Sequence, residues 1–156
     1  MFFILSRGWL RPEAVTGGLN MASDGALLGS GLRVLLVEDE VMIAELFAET
    51  LLSDGHDVAI AGDGQEALEL FDAAEAGGRP YDIVVTDIRM PRMDGVTLAR
   101  SLRHGHPELP VVVVSGYAPA EQLSALVQAR QAPVVVLPKP VNLSRLRSAV
   151  LAATHH

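Results

Sequence analysis

The chain has 156 residues, 49% of them hydrophobic, which is one domain's length with enough apolar material to bury a sizeable core. Its formal net charge of −7 argues against non-specific nucleic-acid binding, which needs clustered Lys and Arg. It has no Cys, which excludes a disulfide frame, thiol chemistry and a Cys zinc site and fits a reducing compartment, and no stretch approaches the roughly 18 apolar residues of a membrane span.

Residues 1–31 read as a flexible N-terminal extension. Gly17, Gly18, Gly25, Gly29 and Gly31 give it the texture of a linker. Its first apolar run, Phe2 to Leu5, is too short for a secretory segment and follows no basic stretch. Met21 is an alternative start. From Leu32 the pattern changes. "LRVLLV" (32–37) is a continuous apolar run, the mark of a strand covered on both faces. After "EDE", residues 41–53 place Ile43, Leu46, Phe47 and Leu51 at helical spacing, with Glu45 and Glu49 on the wet side and Gly55 closing the helix. "DVAIA" (57–61) is a second strand. A Gly-Asp-Gly turn enters a second helix over 62–74. "YDIVVT" (81–86) is a third strand, ending at Asp87. Residues 95–104 form a helix with Val96, Ala99 and Leu102 inward. "PVVVVS" (110–115) is a strand, 119–130 a helix, "VVVL" (134–137) a strand, and 142–153 a last helix with Leu143, Leu146 and Val150 on one face. Residues 154–156 are a tail.

These are five strand–helix pairs. The strands are apolar throughout, and their connections are too long for hairpins. The expectation is therefore a doubly wound α/β domain over 32–153, with five parallel strands and helical crossovers. Ligands of such sheets bind beyond the carboxyl ends of the strands. Those ends carry Glu38 and Asp39, then Asp87, then Ser115, then "LPKP" with Lys139 and Pro140. Three neighbouring carboxylates repel one another, and a hard divalent cation relieves that. A magnesium site on Glu38, Asp39 and Asp87 is the physical expectation; an acidic pair that only caps the next helix is the alternative. A carboxylate can also attack phosphorus and form an acyl phosphate. Asp87 is the candidate nucleophile, with Lys139 and Ser115 placed to neutralise and hydrogen-bond phosphoryl oxygens.

The stretches "VLLVEDE", "DIVVTDIRMPRMDG", "PVVVVSGYA" and "VLPKP" resemble, in order and spacing, the receiver domain of bacterial two-component response regulators of the CheY-like, stand-alone type. The resemblance implies a flavodoxin-like sheet with strand order 2-1-3-4-5 in the cytoplasm. It implies that Asp87 accepts a phosphoryl group from a phosphohistidine on a sensor histidine kinase or a histidine phosphotransfer protein. Magnesium would lie on Glu38, Asp39, Asp87 and the backbone carbonyl of Arg89, and Ser115 and Lys139 would contact the phosphoryl group. Pro140 would follow a cis bond, and Pro91 and Gly95 would shape the loop after the acceptor. Phosphorylation would change binding to a downstream protein target. The chain would be a monomer or weak homodimer, with no membrane or nucleic-acid partner and no enzyme activity beyond its own phosphorylation and dephosphorylation.

Two positions depart from the family pattern. Glu38 is a tolerated variant of the first acid. Val136 stands three residues before Lys139, where receivers usually carry a switch aromatic. Tyr117, the nearest aromatic, either takes over as reporter or covers the site as a loop residue. Bulk at Arg89 and Tyr117 is expected to slow self-dephosphorylation. Two other functions remain in view: a phosphorylation-independent interaction module, kept open by Val136, and a magnesium-dependent hydrolase, for which nothing supplies a general acid or base beside Asp87. His104 and His106 are expected to be a solvated helix end rather than a metal pair, and Arg145 and Arg147 to be solvated or to mark a partner face.

Overall fold

The computed structural model describes residues 31–116 and 133–154. Strands β1 (Arg33–Val37), β2 (Asp57–Ala61), β3 (Ile83–Asp87), β4 (Val111–Ser115) and β5 (Val134–Pro138) form one sheet. All pairs are parallel, in the order β2-β1-β3-β4-β5. Helices α1 (Val41–Ser53), α2 (Gly64–Ala76), α3 (Gly95–Gly105) and α4 (Leu143–Thr154) complete the described residues. The expected strands and these four helices appear within about two residues of their sequence bounds. The helix expected over 119–130 lies outside the described residues.

Side chains alternate across a strand, so each strand feeds both layers. Val34 and Leu36 of β1, with Val58, Ile60, Val85, Val112 and Val114, face α1 and α4. Leu35 and Val37, with Ala59, Ala61 and Val84, face α2 and α3. Burial on both faces is why these strands are apolar without alternation. The edge strand β5 is the exception, with Val136 43% exposed.

The helix ends follow from local chemistry. Asp63 caps α2 by accepting the Glu66 N–H at 2.9 Å, and Asp94 caps α3 by accepting the Thr97 N–H at 2.8 Å. Gly55, at φ +93°, takes the left-handed conformation that ends α1.

One inward assignment on α1 is corrected. Leu46 is 47% exposed, while Ala44, Phe47, Ala48, Thr50 and Leu51 are buried. The buried stripe runs through Ala44, Phe47, Ala48 and Leu51 at spacings of three and four, and Leu46 falls off it. No described helix is long and apolar enough to cross a membrane.

Candidate functional site

Sheet register builds the site. Val37 pairs with Thr86, so the next residues of β1 and β3, Glu38 and Asp87, emerge side by side. Ser115 pairs with Pro138, and the Lys139 N–H donates to the Ser115 carbonyl at 3.0 Å, which brings Lys139 to the same edge. Carboxylate oxygens of Glu38, Asp39 and Asp87 all lie within 4.8 Å of one another. Lys139 Nζ donates to Asp87 Oδ2 at 2.8 Å. Asp87 Oδ1 accepts the Arg89 N–H at 3.3 Å. The Lys139–Pro140 bond is cis.

Asp87 is only 5% exposed, deeper than an acid at a strand tip would suggest. Its direct pairing with Lys139 is the contact that the sequence reading, which aimed the ammonium at a phosphoryl group, did not contain. Glu38 and Ser115 are buried, while Asp39 is exposed.

The electrostatics follow from this placement. Burial pushes the Glu38 carboxyl up to about 7, helped by the charges of Asp87 and Asp39 and opposed by the Glu40 N–H and by Lys139. The Glu40 N–H donates to Glu38 Oε2 at 3.1 Å. Burial alone would lower the Lys139 pKa. The hydrogen bond and charge of Asp87, with Glu38 and Glu40, outweigh it and hold the ammonium charged. Glu40 thus joins the field at this edge without having been singled out as a site residue. Only its place in "EDE" could have pointed to it.

The loop after Asp87 is tightly fitted. The Gly95 N–H donates to the Ile88 carbonyl at 2.8 Å, and a Cβ on Gly95 would stand 2.0 Å from the Asp87 carbonyl oxygen. Only glycine allows that approach.

The acid trio fits a magnesium ion by its donor set: three carboxylates, all oxygen, two of them buried, and Glu38 pushed up by its burial. Tyr117 lies outside the described residues. Val136 is exposed on β5 and supplies no ring.

His104 is exposed, as expected. His106 is half-buried, with its ring 5.0 Å from that of Phe71, so it is a packed histidine rather than a solvated one. Arg147 pairs with Asp54 at 3.3 Å, tying α4 to the end of α1.

A doubly wound parallel sheet with an acid trio and a paired lysine at its carboxyl edge defines a CheY-like α/β domain. The chain belongs to the response regulator receiver domain family, whose model matches residues 34–151. It is 43% identical over 123 residues to the sensor kinase CckA of Brucella abortus, covering 79% of this chain and 12% of that protein. It is 39% identical over 114 residues to a response regulator receiver protein of Anaeromyxobacter, covering 73% of this chain. The chain spans under half the length of both curated relatives, 12% and 45%. Among solved structures, a response regulator receiver protein from Sinorhizobium medicae superposes with a TM-score of 0.68 at 32% identity, over 80% of this chain and 95% of that one. The receiver domain of the hybrid histidine kinase CckA gives 0.62 at 32% identity, over 79% and 99%.

Proposed function

We propose that residues 32–153 act as a phosphoryl-accepting switch in a phosphorelay, with Asp87 as acceptor. The observation that carries this reading is the Asp87 carboxylate, buried in an acid trio and paired with Lys139. One Asp87 oxygen attacks the phosphorus of a phosphohistidine on a histidine kinase or phosphotransfer protein. The new P–O bond forms as the P–N bond breaks, the imidazole leaves, and Asp87 becomes an acyl phosphate.

Magnesium, held by Glu38, Asp39, Asp87 and the Arg89 carbonyl, would neutralise phosphoryl charge in this reaction. Lys139 then exchanges its carboxylate partner for a phosphoryl oxygen, and the Ser115 hydroxyl donates to another. Transfer of the lysine from one anion to the other links chemistry to the movement of β5, which leads into Lys139. A downstream protein would read that movement. The likeness to the receiver domain of a hybrid histidine kinase supports a histidine-kinase partner, and a cytoplasmic setting belongs to the same reading. No turnover of a separate substrate is part of this reading.

Incubation with acetyl phosphate, with and without magnesium, tests it by intact mass. The expected result is one phosphoryl adduct that needs magnesium and is absent from Asp87→Asn. A wild-type protein that binds magnesium yet forms no adduct would sink the reading. It would favour the second one, a phosphorylation-independent interaction module, which rests on Val136 standing exposed where a switch ring is usual.

A further inference from the structure

The loop between β3 and α3 contains a backbone conformation that its residue does not favour. Arg92 has φ +70°, a region that disfavours any residue with a Cβ. The Met93 N–H donates to the Pro91 carbonyl at 2.8 Å and closes a three-residue γ-turn on Arg92. With positive φ at its centre, this is the rarer and more strained γ-turn. Glycine or asparagine would suit that backbone better.

What arginine supplies is reach. Its guanidinium forms a hydrogen-bonded ion pair with Asp63 Oδ2, at the start of α2. Asp63 is itself fixed. Its Oδ1 caps α2 through the Glu66 N–H, and the Glu66 carboxylate accepts the Gly62 N–H at 2.8 Å. The pairing therefore ends on an anchored acid rather than on a free surface side chain. Beside it, Met93 lies so close to Gly64 that a Cβ there would stand 2.8 Å from Met93 Cβ. One polar and one apolar contact join the acceptor loop to α2.

We propose that Arg92 is a positioning residue: its ion pair with Asp63 holds the β3–α3 loop in the strained turn and so fixes the Arg89 backbone for the magnesium site. This rests on the metal-dependent acceptor reading above. The Arg92 side chain is 68% exposed, so the tie is modest. A modest tie opposing a modest strain is enough to shift the loop population severalfold without dismantling the site.

Magnesium titration by calorimetry on the full chain tests this, for the wild type, Arg92→Ala, Arg92→Gly and Asp63→Asn. Asparagine still caps α2, so the helix start is retained. Each variant should bind magnesium about two- to fivefold more weakly than the wild type. Arg92→Ala combined with Asp63→Asn should be no weaker than either alone. The difference should shrink in 1 M NaCl, because an exposed pair is screened. In phosphorylation by acetyl phosphate, the magnesium concentration for half-maximal rate should rise, with little change in the rate at saturation.

Unchanged magnesium affinity in Arg92→Ala and Asp63→Asn would overturn the proposal. So would Arg92→Gly binding as tightly as the wild type, since relief of strain would then outweigh the tie. A wild type that binds no magnesium at all would remove the metal-dependent reading together with this clamp. Unchanged affinity in the variants of a magnesium-binding wild type would remove the clamp alone, and so separates the two cases.

Discussion

The two edges of the sheet treat charge in opposite ways. At the amino edge, Arg33 lies 3.4 Å from Asp57, donates to the Arg79 carbonyl, and stacks over the Tyr81 ring at 4.7 Å. Arg79 reaches Asp57 at 3.9 Å, and the Arg33 N–H donates to Asp82 at 2.8 Å. Positive and negative groups there meet within the fold. At the carboxyl edge, Glu38, Asp39 and Asp87 crowd together around one ammonium, Lys139. The same sheet that pairs its charges at one end leaves an acid surplus at the other. The surplus is thus a local property of the carboxyl edge rather than a consequence of the chain's net charge. A local surplus costs stability unless a cation offsets it.

Gly95→Ala should break the carboxyl edge most completely. The added methyl would collide with the Asp87 backbone, not with a yielding side chain. A loss of about 3 kcal/mol is expected by urea unfolding, together with loss of the phosphoryl adduct. Next in size is a paired test with and without magnesium. Arg33→Ala should cost about 2 kcal/mol, because partly buried groups lose their counter-charge, and magnesium should not restore it. Lys139→Ala should cost about 1–2 kcal/mol in metal-free buffer, with millimolar magnesium recovering most of it. Equal responses of the two variants to magnesium would erase the distinction between the edges.

Proton linkage sharpens the contrast, because the edges respond to pH in opposite directions. Glu38 keeps its proton up to about 7 in the fold, against an ordinary value of 4.5. Between these values the folded state binds more protons, so the stability contributed by neutral Glu38 is lost as pH rises through 7. Glu38→Gln should therefore be about 1–2 kcal/mol more stable than the wild type at pH 8 without magnesium, and nearly equal to it at pH 4.5. Urea melts at the two pH values check this.

His56, at the amino edge, runs the other way. It is buried, and its Nδ1 accepts the Leu32 N–H at 3.1 Å. Burial lowers its pKa, against a smaller opposing pull from Asp54. Its contribution is present above the ordinary value of 6.5 and is lost as pH falls below it. Between pH 7 and 5 the wild type should lose about 1 kcal/mol or less beyond what His56→Asn loses. A wild type and variant with parallel pH curves would remove His56 from the account.

Particular residues show what could be read in advance. The apolar runs marked the strands because both faces of a parallel sheet are buried, and the acids at their ends stood out against those runs. Leu46 was misplaced because Ile43, Leu46 and Phe47 also share a helical spacing, while Ala44 and Ala48, which complete the buried face, are only weakly apolar signals. His56 gave no signal, because one histidine before a strand looks the same whether it is buried or wet. Arg92 in "MPRMDG" reads as a turn residue; neither its left-handed backbone nor its reach to Asp63 is visible without coordinates.

The number and order of the described elements, the parallel sheet and the list of chemical groups at its carboxyl edge were legible along the chain. Those follow from hydrophobic periodicity and turn chemistry, which are local and written along the chain. The three-dimensional packing adds that Lys139 closes on Asp87, that burial pushes the Glu38 carboxyl up, that Gly95 lies against the Asp87 backbone, and that Arg92 meets Asp63. Each of these depends on how elements and loops pack against one another in three dimensions, which a pattern read along the chain does not contain.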